Sequence, residues 1–159
     1  METPEYINAE KTALRLIARA EQCSAGLARK LEKRGHSEAH IREVISSLTG
    51  KNLIDDNRFA RFWLQSRLHF TRSPRQLFSS LCARGIDRDD AEAALKTVLN
   101  EETEAALLKK FVKKRLKKLK SGGGDVTRSL KFMLKNEGFS PQAIQNFLSP
   151  DEQTHQFIN

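Results

Sequence analysis

The stretch Leu27-Ala28-Arg29-Lys30-Leu31-Glu32-Lys33-Arg34-Gly35 places leucines eight and four residues before a glycine. The same spacing returns in Leu77-Phe78-Ser79-Ser80-Leu81-Cys82-Ala83-Arg84-Gly85 and in Leu130-Lys131-Phe132-Met133-Leu134-Lys135-Asn136-Glu137-Gly138. The glycines are 50 and 53 residues apart, and self-similarity at a near-fixed period marks a repeat protein. Leucines at i and i+4 share one helix face, so each copy predicts a short amphipathic helix. The glycine ends that helix, because it takes a left-handed conformation without steric cost.

Outward from each glycine the match continues. Ser37, Asp87 and Ser140 stand two residues on, where a side-chain oxygen caps the next helix. Apolar residues then follow six, nine and ten residues after the glycine: Ile41, Val44 and Ile45; Ala91, Ala94 and Leu95; Ile144, Phe147 and Leu148. Pro141 after Ser140, and Pro74 after Ser73, fit the first helical position, where a missing N–H costs nothing. Longer upstream helices are expected over about 8–22, 56–70 and 102–120. The reading is an all-α protein of three tandem three-helix repeats, over 8–54, 55–100 and 101–149. Such repeats stack into an elongated, curved array. A polar tail follows at 150–159. The third repeat inserts Ser121-Gly122-Gly123-Gly124, which reads as a flexible joint. A phosphate-binding loop would need a preceding strand and a Lys-Ser/Thr ending.

Composition agrees. Of 159 residues, 38% are apolar and 30% charged, which favours several small cores over one deep one. The net charge of +8 is unevenly spread: +1 over 1–55 (9 basic, 8 acidic), +3 over 56–100 (8 and 5) and +4 over 101–159 (11 and 7). Such a field favours polyanionic partners. No apolar run approaches the about 18–20 residues that cross a bilayer, and the N-terminus lacks a secretory pattern. Cys23 and Cys82 read as reduced, buried or half-buried thiols of a cytosolic protein.

Two groups of cations stand out. Arg58, Arg61, Arg67, Arg72 and Arg75 fall within eighteen residues without a lysine. Arginine suits bidentate contact with carboxylate or phosphate, or these residues pair with Asp55, Asp56 or helix carbonyls; the sequence favours neither. Lys109, Lys110, Lys113, Lys114, Lys117 and Lys118, with Arg115 between, oppose an apolar stripe of Leu108, Val112, Leu116 and Leu119. No acidic i,i+4 partner follows Glu104, so binding of a polyanion competes with a merely solvated face.

Other features read as structural. Asp55 and Asp56 are expected to cap helix N–H groups. Phe59, Phe62 and Trp63 could stack on bases, but helical spacing to Leu68 and Phe70 favours core packing. His36, His40, His69 and His155 are scattered, and no metal, cofactor or catalytic constellation is expected.

Taken together, Leu53-Ile54-Asp55-Asp56, Arg58-Phe59-Ala60, Arg67, Ser73-Pro74-Arg75, Leu77, Leu81 and Gly85-Ile86 resemble the RecX family of RecA regulators. Ala13-Leu14-Arg15-Leu16-Ile17-Ala18-Arg19, Leu27, Leu31 and Arg34-Gly35 are similar too. The likeness covers about 10–100; the third repeat matches in layout, while its glycine insertion and lysine-dense helix depart from the family pattern. The resemblance implies tandem three-helix repeats in a cytoplasmic, non-enzymatic protein, expected to act as a monomer. It implies binding in the groove of the RecA–single-stranded-DNA filament, with weak binding to single-stranded DNA alone. The implied outcome is modulation, usually inhibition, of strand exchange, ATP hydrolysis and co-protease activity in recombination and the SOS response. The five arginines and six lysines are the expected RecA and DNA contacts. An independent basic nucleic-acid-binding helical repeat protein is the rival reading. A helical adaptor for another acidic partner is a third.

Overall fold

The computed structural model describes residues 3–121 and 125–149, with the side chains of Lys117, Leu119 and Lys120 left out. The expected joint at 122–124 and the expected tail at 150–159 lie outside the described residues. Among the described residues there are nine α-helices and no strand: α1 (Pro4–Arg19), α2 (Ser24–Glu32), α3 (Glu38–Gly50), α4 (Asp56–Arg67), α5 (Pro74–Ala83), α6 (Arg88–Val98), α7 (Glu101–Lys120), α8 (Val126–Asn136) and α9 (Pro141–Leu148).

The three glycines end their helices as their positions require. Gly35, Gly85 and Gly138 have φ of 82°, 91° and 85°. In each copy the N–H after the glycine reaches back to the second leucine: His36 to Leu31 O at 3.3 Å, Ile86 to Leu81 O at 3.2 Å, Phe139 to Leu134 O at 3.2 Å. The glycine N–H donates three residues back, to Glu32, Cys82 and Lys135 carbonyls. This paired bonding satisfies the orphan carbonyls of the helix end. Ser37 and Ser140 then accept from His40 N and Ala143 N, at 3.3 and 3.2 Å. Asp87 caps through Asp89 N at 2.9 Å. Ser73 and Gln76 cap α5 reciprocally, at 3.0 and 3.2 Å. Each such cap contributes about 1 kcal/mol.

Three boundaries differ from expectation. The first helix begins at Pro4, because Thr3 Oγ1 accepts from Tyr6 N at 3.2 Å and Pro4 fits the first turn. It stops at Arg19 rather than near 22; Ala20 is extended, and the Gln22 amide donates to Ala20 O at 3.0 Å. The fourth helix ends at Arg67 rather than near 70, closed by a turn in which Phe70 N donates to Arg67 O at 3.0 Å.

By contact the chain divides into two compact units, Met1–Trp63 with Leu81–Ala94, and Leu64–Ser80 with Leu95–Asn159. In the first unit α1, α2 and α3 pack on one another. Tyr6, Ala9, Ala13, Leu27, Leu31, Ile41, Val44, Leu48 and Ile54 form a continuous buried cluster. In the second, α7, α8 and α9 pack mutually. Leu107, Leu108, Phe111, Val112, Leu130, Leu134, Phe139 and Ile144 are buried there, and the Phe111 and Phe139 rings meet at 5.5 Å between centroids. All six repeat leucines are fully buried, so truncating any one to Ala costs about 2–5 kcal/mol.

Candidate functional site

The five arginines do different things. Arg58 Nε donates to Glu21 Oε1 at 2.7 Å. Its Nη atoms donate to the carbonyls of Asn52 and Leu53 at 3.2 and 3.3 Å. Those carbonyls belong to the turn after α3, where Asn52 takes a left-handed φ of 55°. Arg58 therefore ties the loop after α1 to the turn after α3, with Nε and both Nη atoms each donating one bond. Arg61 is exposed. Arg67 lies 5.6 Å from the centroid of Phe70. Arg72 donates to Ser80 Oγ and Arg75 to Asn136 O, both at 3.4 Å. These two exposed arginines line a shallow groove of about 600 Å³ with Gln76, Ser79 and Glu137. The Glu137 carboxylate accepts from Ser73 Oγ at 2.5 Å, and the Glu137 carbonyl accepts from Arg75 N at 3.0 Å. Arg58 and Arg61 belong to the first unit; Arg67, Arg72, Arg75 and all six lysines belong to the second.

The lysine helix has an exposed cationic face. Lys109, Lys110, Lys113, Lys114 and Lys118 are exposed, and the Lys117 side chain lies outside the described residues. The buried stripe differs from the expected one. Leu108 and Val112 are buried as read, but Leu107 and Phe111 join them and Leu116 is only half-buried. Arg115 is half-buried, with its guanidinium 5.1 Å from the Phe111 centroid. Acidic residues gather at the helix start, at Glu101, Glu102 and Glu104, where the dipole favours them. Glu104 also accepts from Ser140 N and Ser140 Oγ, at 2.7 and 2.8 Å. No acidic residue stands between 105 and 124, so the lysine face has no neighbouring carboxylate on its own helix.

The paired aspartates cap, but not the same helix. Asp55 Oδ1 accepts from Arg58 N at 2.9 Å, at the start of α4. Asp56 Oδ1 accepts from Ser24 N at 2.7 Å, at the start of α2, whose own cap residue Cys23 supplies no side-chain bond. His40 Nδ1 pairs with Ser37 Oγ at 2.9 Å. Among the described residues no three His, Cys, Asp or Glu side chains are placed to hold a metal ion. Cys23 is buried and Cys82 half-buried, both free thiols, and among the described residues no helix is long and apolar enough to cross a membrane.

The aromatic residues divide. Trp63 is buried with Arg84 4.4 Å from its ring centroid, and Phe59 is half-buried. Phe62 and Phe70, expected in the core, are 62% and 46% exposed. Phe132, which the sequence reading placed only within a repeat, is 68% exposed. Its signal was the repeat register: two residues after the first leucine stand Arg29, Ser79 and Phe132. The first two are exposed polar positions.

The described chain thus defines an all-helical protein built on glycine-terminated, side-chain-capped helices with a basic surface. The family model described as "RecX, first three-helix domain" matches residues 9–48, and "RecX, second three-helix domain" matches 55–95. The chain belongs to the RecX family of regulatory proteins. It is 33% identical over 142 residues to Regulatory protein RecX of Treponema pallidum (strain Nichols), covering 89% of this chain and 84% of that one. It is 36% identical over 135 residues to Regulatory protein RecX of Mycobacterium marinum, covering 83% and 78%. A crystal structure of regulatory protein RecX superposes with a TM-score of 0.74 at 21% identity, covering 89% of this chain and 72% of that one. RecX from Lactobacillus salivarius gives 0.67, again at 21% identity, covering 89% and 93%. These structural likenesses bear on the fold.

Proposed function

We propose that this protein binds the RecA–single-stranded-DNA filament and lowers RecA's recombinase, ATP-hydrolysis and co-protease activities, in DNA repair and the SOS response. The observation that carries the reading is the exposed cationic face at Lys109, Lys110, Lys113, Lys114 and Lys118, unopposed by acid over 105–124, on a chain of a regulatory family. A filament of DNA and protein presents dense negative charge, and neutralising phosphates releases counterions. The protein acts by occupying a surface, without a reaction, cofactor or metal of its own, as a cytoplasmic monomer of three tandem units over 8–54, 55–100 and 101–149. Arg61, Arg72 and Arg75 join the lysines as contacts. Arg67 beside Phe70 is a weaker candidate, and so is Arg58, whose Nε and Nη atoms also hold Glu21 and the turn after α3.

The test is co-sedimentation with RecA filaments on single-stranded DNA, at concentrations where the protein leaves bare DNA in solution. The reading expects pelleting with filaments, lost in a K109E/K110E/K113E variant whose helical circular dichroism is unchanged. Retention of full pelleting by that variant removes the lysine face from the site. Absence of pelleting by the parent protein removes the proposed function.

A further inference from the structure

We propose that Phe132, with Arg128, Lys131 and Lys135, forms a platform on which an unpaired base of single-stranded nucleic acid stacks. The inference rests on the nucleic-acid half of the function proposed above and names a contact for it. Phe132 is 68% exposed, more than Leu14, Leu53, Phe62 or Phe70. It sits on α8 opposite the buried Leu130 and Leu134, so its ring lies outside the buried core. Arg128 lies four residues before it and Lys135 three after, on the same helix face, and Lys131 adjoins. All three cations are exposed, and α8 contains no Asp or Glu. The helix is held at both ends, by Asp125 Oδ1 accepting from Arg128 N at 3.1 Å and by the Gly138 turn, so the ring stands on a rigid support.

Chemistry chooses among the polyanions. An aromatic face flanked by cations offers stacking plus phosphate neutralisation, which suits single strands whose bases are free. A duplex keeps its bases paired and offers the ring nothing. A membrane surface would need a continuous apolar face, and here the apolar face of α8 is buried in its own unit. An acidic protein surface would use the cations and the ring together on any folded partner, and becomes an outcome of the test.

The experiment measures binding of the full chain to a fluorescent oligo-dT and to a duplex of equal length by anisotropy, over a series of salt concentrations. F132A is expected to weaken oligo-dT binding about fivefold or more. Its log–log salt slope and its duplex affinity should match the parent. F132W should restore binding, while R128Q and K131Q should each reduce the slope by about 0.7. Unchanged oligo-dT affinity in F132A overturns the platform, and so does an equal loss on duplex. A parent chain that binds no oligo-dT overturns it as well. Loss of filament binding by F132A with oligo-dT binding intact assigns the ring to protein docking and also overturns it. The two proposals fail separately: filament inhibition with an inert Phe132 leaves the function standing, and Phe132-dependent DNA binding without any effect on RecA leaves only the platform.

Discussion

Alanine substitution at the three repeat glycines should cost different amounts, and the differences follow from what each site faces. All three glycines have positive φ, which an L-residue adopts at about 1–2 kcal/mol. At Gly35 a new Cβ meets no atom within 4 Å, so G35A should cost only that backbone amount. At Gly138 the nearest atoms are Arg75 N at 3.3 Å and Pro74 Cβ at 3.6 Å. G138A should therefore cost slightly more than G35A. At Gly85 the new Cβ would overlap the Cβ of Ala25. Overpacking adds about 1–3 kcal/mol, so G85A should cost about 2–5 kcal/mol in all. The assay is urea unfolding followed by circular dichroism and by the fluorescence of Trp63, the single tryptophan, which is buried in the same unit as Gly85. A25G alone should cost up to about 1 kcal/mol. Combined with G85A it opens the space, so the double variant should be more stable than the two separate losses predict. G85A as mild as G35A, or strict additivity with A25G, would refute the close approach of α2 to Gly85.

Three further outcomes follow from the arginines, caps and lysines. R58A should destabilise the fold by about 1 kcal/mol, modest because the pair with Glu21 is partly exposed, whereas R61A should stay within about 0.5 kcal/mol; chemical denaturation separates them. D56A should cost about 1 kcal/mol and speed amide exchange at Ser24 on α2, a helix other than its own, while D55A should loosen the start of α4. Replacing Lys109, Lys110 and Lys113 together by Gln should lower the log–log salt slope for single-stranded DNA by about 2 and leave the melting temperature unchanged.

What the sequence made legible was local. The glycine turns, the Ser37, Asp87, Ser73 and Ser140 caps and the repeat leucines each depend on residues within a few positions, and the structure places them as read. What escaped was long-range. Asp56 and Ser24 are 32 residues apart, and Arg58 and Glu21 are 37 apart, so no spacing rule points from one to the other. Those two contacts give Arg58 a part in the fold and move an aspartate cap to another helix. The aromatic residues of α4 misled for a related reason. Periodicity alone gave Phe62 to the core, yet it is 62% exposed while Trp63 is buried. On α7 the lysine spacing fixed the exposed face correctly, but the buried stripe turned to include Leu107 and Phe111, with Phe139 against the latter ring.

The proposed restraint of the RecA filament, by occupation of its surface, can be measured without any variant. The parent chain is titrated into RecA assembled on single-stranded DNA while ATP hydrolysis is followed. Hydrolysis should fall progressively, with the full effect reached at or below one protein per RecA and relieved by raising the salt. Undiminished hydrolysis at stoichiometric protein, under conditions where RecA filaments are intact, would contradict it.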